Sequence, residues 1–372
     1  MAKAKWDHLS EDNVRTRPGR GSRPRTKVRP AHQDAIAGHV TAVDRGRYQV
    51  HVDRQAASQQ VWAVKAKDLG HRGVVVGDQV FLVGDTTGTK DTLARIVRVG
   101  PRRTVLRRAT EEGRGRERVI VANADLLVVV VALANPEPRT GMIDRCLVAA
   151  YDGGLEPVLC LTKADLAPSK DLTALYEPLG VEVVSTQYPG QGRPLAGLDR
   201  LLGVLTNRAS VMAGHSGVGK STLMNALIPG ADRATGHVNQ TTGRGRHTSS
   251  NAVSLALPNG GWLIDTPGVR SFGVDHVTSQ NILAAFPDLA DQAKADCPRG
   301  CPHTATAIDC ALLEWASLSP GHHARVESFQ RLIASRDGTR DKDSGFGQGL
   351  RQELEKAQGA ASQAGGGSGD PA

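Results

Sequence analysis

Residues 211–227 read VMAGHSGVGKSTLMNAL, an apolar run that stops at a glycine-rich loop and resumes with helical periodicity. Gly214, Gly219, Lys220 and Ser221 fill the spacing GxxxxGK[ST], with His215, Ser216, Gly217 and Val218 inside the loop and Thr222 just beyond it. Such a loop turns backbone N–H groups inward around phosphate oxygens, and the following helix offers them its positive end. Lys220 then reaches the outer phosphates and Ser221 ligates magnesium. The expected ligand is a nucleoside triphosphate with Mg2+.

Two further stretches narrow the nucleotide. Asp265, in WLIDTPG, suits the acid that holds magnesium through water, and Gly268 can turn its N–H toward the terminal phosphate. DTPG resembles the DxxG switch of GTPases. In LTKADL, Lys163 and Asp165 resemble the NKxD guanine motif, with Thr162 where that motif has Asn and Ala164 at its free position. One carboxylate at Asp165 can accept from both the ring N–H and the exocyclic amine of guanine, a donor pair that adenine lacks. Each such charged hydrogen bond contributes about 1.5–3 kcal/mol. Lys163 would lay its aliphatic stem over the base, and Ser185 in VVST fits the remaining base-contacting loop. GTPases ordinarily run phosphate loop, DxxG, NKxD, base loop. Here TKAD precedes the phosphate loop, so the spacing predicts a circularly permuted sheet whose second switch leads directly out of the domain.

Downstream of that switch comes DCPRGCPHTATAIDC, in which Cys297, Cys301, His303 and Cys310 crowd together. Three thiolates and an imidazole complete a closed tetrahedral zinc site, and binding energy of roughly 10–16 kcal/mol would organise a segment too small to fold alone. A redox cysteine pair is the alternative. Cys146 and Cys160 lie in apolar patterns and read as buried thiols.

Periodicity supplies the scaffold that carries these residues. Between Ile36 and Val99, four or five short strands with turns, including a hairpin around Arg45 and Gly46, predict a small β-barrel of the OB or SH3-like kind, either an oligonucleotide binder or a spacer. Residues 102–118 carry seven Arg against three Glu and read as an exposed linker, either a second RNA-facing surface or a solvated loop. Strand and helix patterns then alternate. DLLVVVVAL has the continuous apolar character of a parallel strand covered on both faces, and EPVLCLT, VEVVS, SVMA, AVSLALP and GWLID supply further strands of an α/β sheet. ALLEWASL and HHARVESFQRLIASR read as helices on the zinc knuckle.

The chain has 372 residues, enough for two or three cores, and only 3 % aromatics, so those cores must be aliphatic. Its formal charge is +8 and its pI about 9.4. Residues 1–30 hold nine Lys/Arg against three acids, an arm suited to a polyanion such as RNA or a solvated tail without a partner. No apolar stretch is long enough for a membrane span or a signal peptide, so a soluble cytoplasmic protein with no membrane partner is expected.

From about Ile36 to Ser335 the chain resembles the ribosome small subunit-dependent GTPase family (RsgA, also called YjeQ), in GHSGVGKS, GRGRHTSS, DTPGVRSFG and the Cys/Cys/His/Cys cluster. The resemblance implies a multidomain protein: an N-terminal OB-like β-barrel, a central circularly permuted α/β P-loop GTPase and a C-terminal zinc-binding helical domain. The expected boundaries are a basic arm at 1–34, barrel 35–105, GTPase domain 106–278, zinc-binding domain 279–340 and tail 341–372. It further implies GTP hydrolysis to GDP stimulated by the 30S subunit, a role in late maturation of that subunit with 16S rRNA as a contact, one structural Zn2+, and a monomer away from the ribosome. The chain departs from the family at Thr162, at Ser249 in the usual HTT run, and in cysteine-cluster spacings of three and six residues where four and five are expected.

Lys220 and Asp265 are the expected catalytic pair of charges. Val269 stands just after DTPG and cannot orient water, which leaves His247 as the candidate for that role or, alternatively, as an RNA-phosphate contact beside Arg244 and Arg246. Thr248 or Ser249 would complete the magnesium shell. Unassisted turnover is expected on the order of 10⁻⁴ to 10⁻² per second. Two competing readings, a nonenzymatic RNA-binding scaffold and an ATP-dependent RNA remodeller, are opposed by intact Lys220, Ser221 and Asp265 and by Asp165, respectively.

Overall fold

The structure, a computed structural model, describes residues 32–336 apart from 54–57, 71–72, 90–91, 110–116, 189–193, 230–251, 267–271, 273 and 275–276. The alternation seen after Ile36 becomes β1 (Ile36–Asp44), β2 (Arg47–Val52), β3 (Gln59–Lys65), β4 (Gln79–Gly84) and β5 (Ala94–Val99). Arg45 and Gly46 both take positive φ, 42° and 82°, the two-residue turn whose twist matches an antiparallel hairpin. Strands pair in the order β1-β2-β3-β5-β4, with β3 and β5 parallel, and β4 closes back on β1. That circuit is the OB arrangement rather than an SH3-like one. Every second residue points inward, so Val40, Val50, Val61, Leu82 and Ile96 fill the barrel.

The arginine-rich stretch after the barrel differs from the expected exposed linker. It contains two paired strands, β6 (Val105–Ala109) and β7 (Glu117–Ala122), and Leu106 and Val121 are fully buried between barrel and helix. Period-2 alternation lets apolar side chains face in while neighbouring arginines face out, which composition alone conceals. Arg102 clamps buried Asp78 of the barrel bidentately, at 2.7 and 2.8 Å, so this arginine is occupied structurally. Gly77 is required beside it: its φ is 85°, and a Cβ there would sit 1.9 Å from the Ala122 carbonyl.

The α/β sheet comes next. Its elements are β8 (Leu126–Ala132), α1 (Thr140–Gly153), β9 (Glu156–Thr162), α2 (Lys170–Tyr176), β10 (Glu182–Ser185), α3 (Leu198–Leu205), β11 (Ala209–Ala213), α4 (Lys220–Leu227), β12 (Val253–Ala256) and β13 (Trp262–Asp265). Strand order is β10-β9-β8-β11-β13-β12, parallel except for β12. All seven residues of β8 are buried because both faces are covered: Leu127, Val129 and Val131 pack toward α1, and Leu126, Val128 and Val130 toward α3 and α4. The phosphate-loop strand β11 is central, between β8 and β13, although the chain reaches it fourth, as a permuted order requires.

Beyond the sheet, α5 (Ser279–Ala284), α6 (Pro287–Asp296), α7 (Ala311–Ala316) and α8 (Pro320–Arg336) build a helical module. Thr278 caps α5 by accepting from the Asn281 N–H at 3.2 Å. Helix α8 lies against α1, where Arg331 pairs with Asp144 at 3.2 Å and the Tyr176 hydroxyl donates to the same carboxylate at 2.9 Å. Finally, Ala42 of β1 pairs with Val253 of β12, so barrel and α/β sheet are edges of one eleven-stranded sheet.

Candidate functional site

The site lies at the carboxyl ends of the parallel strands, where the loops after β8, β9, β10 and β11 meet. Strand β11 stops at Ala213, and the loop 214–219 carries three glycines with positive φ: Gly214 (151°), Gly217 (81°) and Gly219 (96°). A Cβ at Gly214 would lie 2.4 Å from the Val130 carbonyl, so the loop can fold this tightly against β8 only with glycine there. Val218 is buried and anchors the loop, whereas Ser216 and Gly217 are exposed and His215 and Gly219 half-buried. Ser221 and Thr222, in the first turn of α4, are exposed.

Lys220 Nζ donates to the Gly214 and His215 carbonyls, which holds the ammonium inside the loop. Burial lowers its pKa, and Asp265 opposes that shift. Asp265, opposite Met212 on the neighbouring strand, is raised chiefly by burial, with Lys220 and the Thr266 N–H acting the other way. Each charge is therefore drawn partly out of water and favours a compensating partner of opposite sign. The Thr266 hydroxyl donates to the Met212 carbonyl at 3.1 Å and fixes the chain just past the acid.

The base-recognition candidates converge from β9 and β10. Thr162, buried at the end of β9, donates to the Val218 carbonyl at 2.6 Å and lies 3.3 Å from the Val131 carbonyl. Position 162 thus ties the TKAD turn to the phosphate loop with a hydroxyl in place of an amide. Lys163 turns the chain with φ 58°, and its Nζ donates to the Asn135 carbonyl. The Ala164 N–H reaches Thr186, and Asp165 accepts from the Tyr188 N–H at 3.3 Å. Ser185 sits in β10 opposite Leu161, half-buried. Asn135, Thr186 and Tyr188 are hydrogen-bond partners of these candidates that motif spacing did not single out. Their only sequence signal is that they come after strands β8 and β10, whose ends must face this site. His247, Thr248, Ser249 and Gly268 lie outside the described residues.

A second centre lies in the helical module. The ligand atoms of Cys297, Cys301, His303 and Cys310 all fall within 4.8 Å of one another. Cys297 Sγ to His303 Nδ1 is 3.6 Å, Cys310 Sγ to the same nitrogen 3.7 Å, and the two sulfurs are 4.0 Å apart. Ligands placed tetrahedrally about 2.3 Å (S) and 2.0 Å (N) from one ion have edges of about 3.5–3.8 Å, so the set fits a single tetrahedral cation. Burial pushes the Cys310 thiol up to about 12, reinforced by Cys301 and Cys297, and burial lowers His303. A dication among them reverses the cost for the thiolates. His303 takes φ 55°, which lets ligands with unequal spacing close on one point.

A sequence model of the RsgA GTPase matches residues 99–275. The small ribosomal subunit biogenesis GTPase RsgA of Pseudomonas aeruginosa strain LESB58 is 36 % identical over 272 residues, 70 % of this chain and 76 % of that protein. The chain belongs to the RsgA GTPase family. It is accordingly a GTP hydrolase. The protein of the same description from Pseudomonas syringae pv. tomato is 37 % identical over 269 residues, covering 70 % of this chain and 75 % of its own. Among solved structures, YjeQ from Thermotoga maritima superposes with TM-score 0.61 at 25 % identity, covering 82 % of this chain and all of that one. YloQ, described as a circularly permuted GTPase, gives TM-score 0.61 at 21 % identity over 85 % of this chain and all of its own, a likeness of fold. The permuted sheet expected from the motif order and the barrel expected from the short-strand pattern are those of this family. Among the described residues no helix is long and apolar enough to cross a membrane.

Proposed function

We propose that this protein hydrolyses GTP in the service of small ribosomal subunit biogenesis, acting late in assembly, with turnover stimulated by the 30S subunit through contacts that include 16S rRNA. The observation that carries the nucleotide assignment is the tie from Thr162 to Val218, which sets the TKAD turn and the phosphate loop at a fixed separation. The ribosomal assignment is supported by the relatives, which are described as small ribosomal subunit biogenesis GTPases.

In this reading Asp165 accepts from the guanine edge while Lys163 covers the base. The backbone N–H groups of 214–219 and the start of α4 hold the phosphates. Lys220, released from the loop carbonyls, neutralises charge on the outer phosphates. Ser221, Asp265 and Thr248 or Ser249 are the residues that would hold Mg2+, which would supply positive charge against the charge that develops on the phosphates. Gly268 contributes an N–H to the terminal phosphate, and His247 orients the attacking water. If His247→Ala kept stimulated turnover while weakening subunit binding, His247 would be an RNA contact instead.

The Cys297, Cys301, His303 and Cys310 set holds one structural Zn2+. Residues 1–34 act as a basic arm, 35–105 as an OB-like barrel, 106–278 as the GTPase domain, 279–340 as the zinc-binding domain and 341–372 as a tail, in a cytoplasmic protein that is monomeric off the ribosome. Phosphate release from GTP and from ATP, each with and without purified 30S subunits, tests the reading. GTP-selective turnover that rises with subunits supports it, and turnover indifferent to subunits removes the ribosomal part.

A further inference from the structure

The seam between barrel and GTPase sheet is in register with the catalytic acid. Ala42 of the barrel pairs with Val253, Val253 pairs on its other side with Asp265, and Asp265 pairs with Met212 at the base of the phosphate loop. Asp265 therefore stands two strand spacings, about 10 Å, from the barrel. At the other end of the ribbon Trp262 pairs with Ala256, while His39 of β1 is paired on its two edges with His51 of β2 and Gln79 of β4, so the barrel meets this end through side chains. The contact is made by rings. Trp262 meets His39 edge-on at 4.4 Å and His51 at 4.8 Å, and the two imidazoles are 5.0 Å apart. His39 Nε2 is buried with no hydrogen-bond partner among the described residues, so that ring is held by packing.

The short β12–β13 ribbon is thus gripped by the barrel at both ends. The segment carrying His247 to Ser249 enters this ribbon at Val253, and the segment carrying Gly268 leaves it at Asp265. We propose that Trp262 is a positioning residue for hydrolysis: packed edge-on against both His39 and His51, it transmits engagement of the barrel to the ribbon from which both switch segments depart. A strand ribbon resists bending along its length but can pivot as a unit, and packed rings hold discrete arrangements better than graded ones. Whatever RNA contact displaces β1 must move Val253 or break its pairing, and either changes where Asp265 stands. This inference rests on the subunit-stimulated reading above.

The test measures basal turnover, subunit-stimulated turnover, subunit affinity and Tm for the full-length wild type and for Trp262→Leu, Trp262→Phe and His39→Leu. Trp262→Leu and His39→Leu are expected to lower stimulated turnover about tenfold while basal turnover and subunit affinity stay within about twofold. Trp262→Phe keeps a ring in the cluster and is expected to recover most of the stimulation. Stimulation undiminished in both leucine variants, or basal and stimulated rates falling in the same proportion, overturns the proposal. His39→Leu leaves Trp262 in place and serves if Trp262→Leu unfolds. Absence of stimulation in the wild type would instead sink the ribosomal reading, and this coupling with it.

Discussion

The Thr162 hydroxyl lies 2.6 Å from the Val218 carbonyl, a single bond that spans the base-recognition turn and the phosphate loop. Both groups are buried, so removing the donor strands an acceptor away from water. Thr162→Val preserves shape and is expected to weaken GTP and GDP binding about tenfold, from a loss of about 1–2 kcal/mol. The preference for GTP over ATP should hold in this variant and collapse in Asp165→Ala, which calorimetric titration with each nucleotide distinguishes.

The helical module is fastened to the GTPase domain through charge. Arg331 and Asp144 retain only 8 % and 1 % of their side-chain exposure, and Tyr176 shares the carboxylate. Asp144→Ala leaves an uncompensated guanidinium in the interior and is expected to destabilise by about 3–5 kcal/mol, read as a shift in the urea midpoint. Arg331→Leu paired with Asp144→Leu should recover most of that loss.

Metal removal separates the two centres. Purified protein is expected to carry one equivalent of zinc by elemental analysis, and Cys310→Ser to lose it. Because the ligands hold together helices as short as the six residues of α7, chelation should expose 297–318 to protease while guanine-nucleotide binding persists.

Acid sensitivity should report the seam. His39 is lowered to about 4, first by burial and then by His51, with Asp53 opposing. The unfolded chain takes up a proton below about 6.5 that the folded chain refuses until about 4, so stability falls as pH drops through that window and levels off beneath it. His39→Leu should flatten this part of the curve of Tm against pH.

Much of the site was legible because its chemistry is local. The phosphate loop, the TKAD turn and the cysteine cluster are each read within a dozen or so residues, and their order announced the permutation before any strand was placed. The seven-residue apolar run of β8 likewise declared a strand covered on both faces. What escaped was nonlocal or short. Helices α2, α5 and α6 are brief or polar and take their stability from packing. The 105–122 hairpin hides Leu106 and Val121 behind arginines. The pairings of Ala42 with Val253 and of Asp144 with Arg331 join positions far apart in the chain, and no periodicity encodes them. Thr162 looked like a lost amide until its hydroxyl was seen to reach Val218.

The strand order also dictates how this protein must emerge from the ribosome that makes it. Of the α/β sheet, β8, β9 and β10 are synthesised first, yet the inner edge of β8 waits about 80 residues for β11, and β1 of the barrel waits about 200 for Val253. During that interval the nascent chain presents a hydrophobic strand edge with no partner, a species prone to wrong pairing. The nucleotide pocket cannot exist until β11 inserts between strands made before and after it. Ligand binding is therefore postponed until nearly the whole GTPase sheet has been translated.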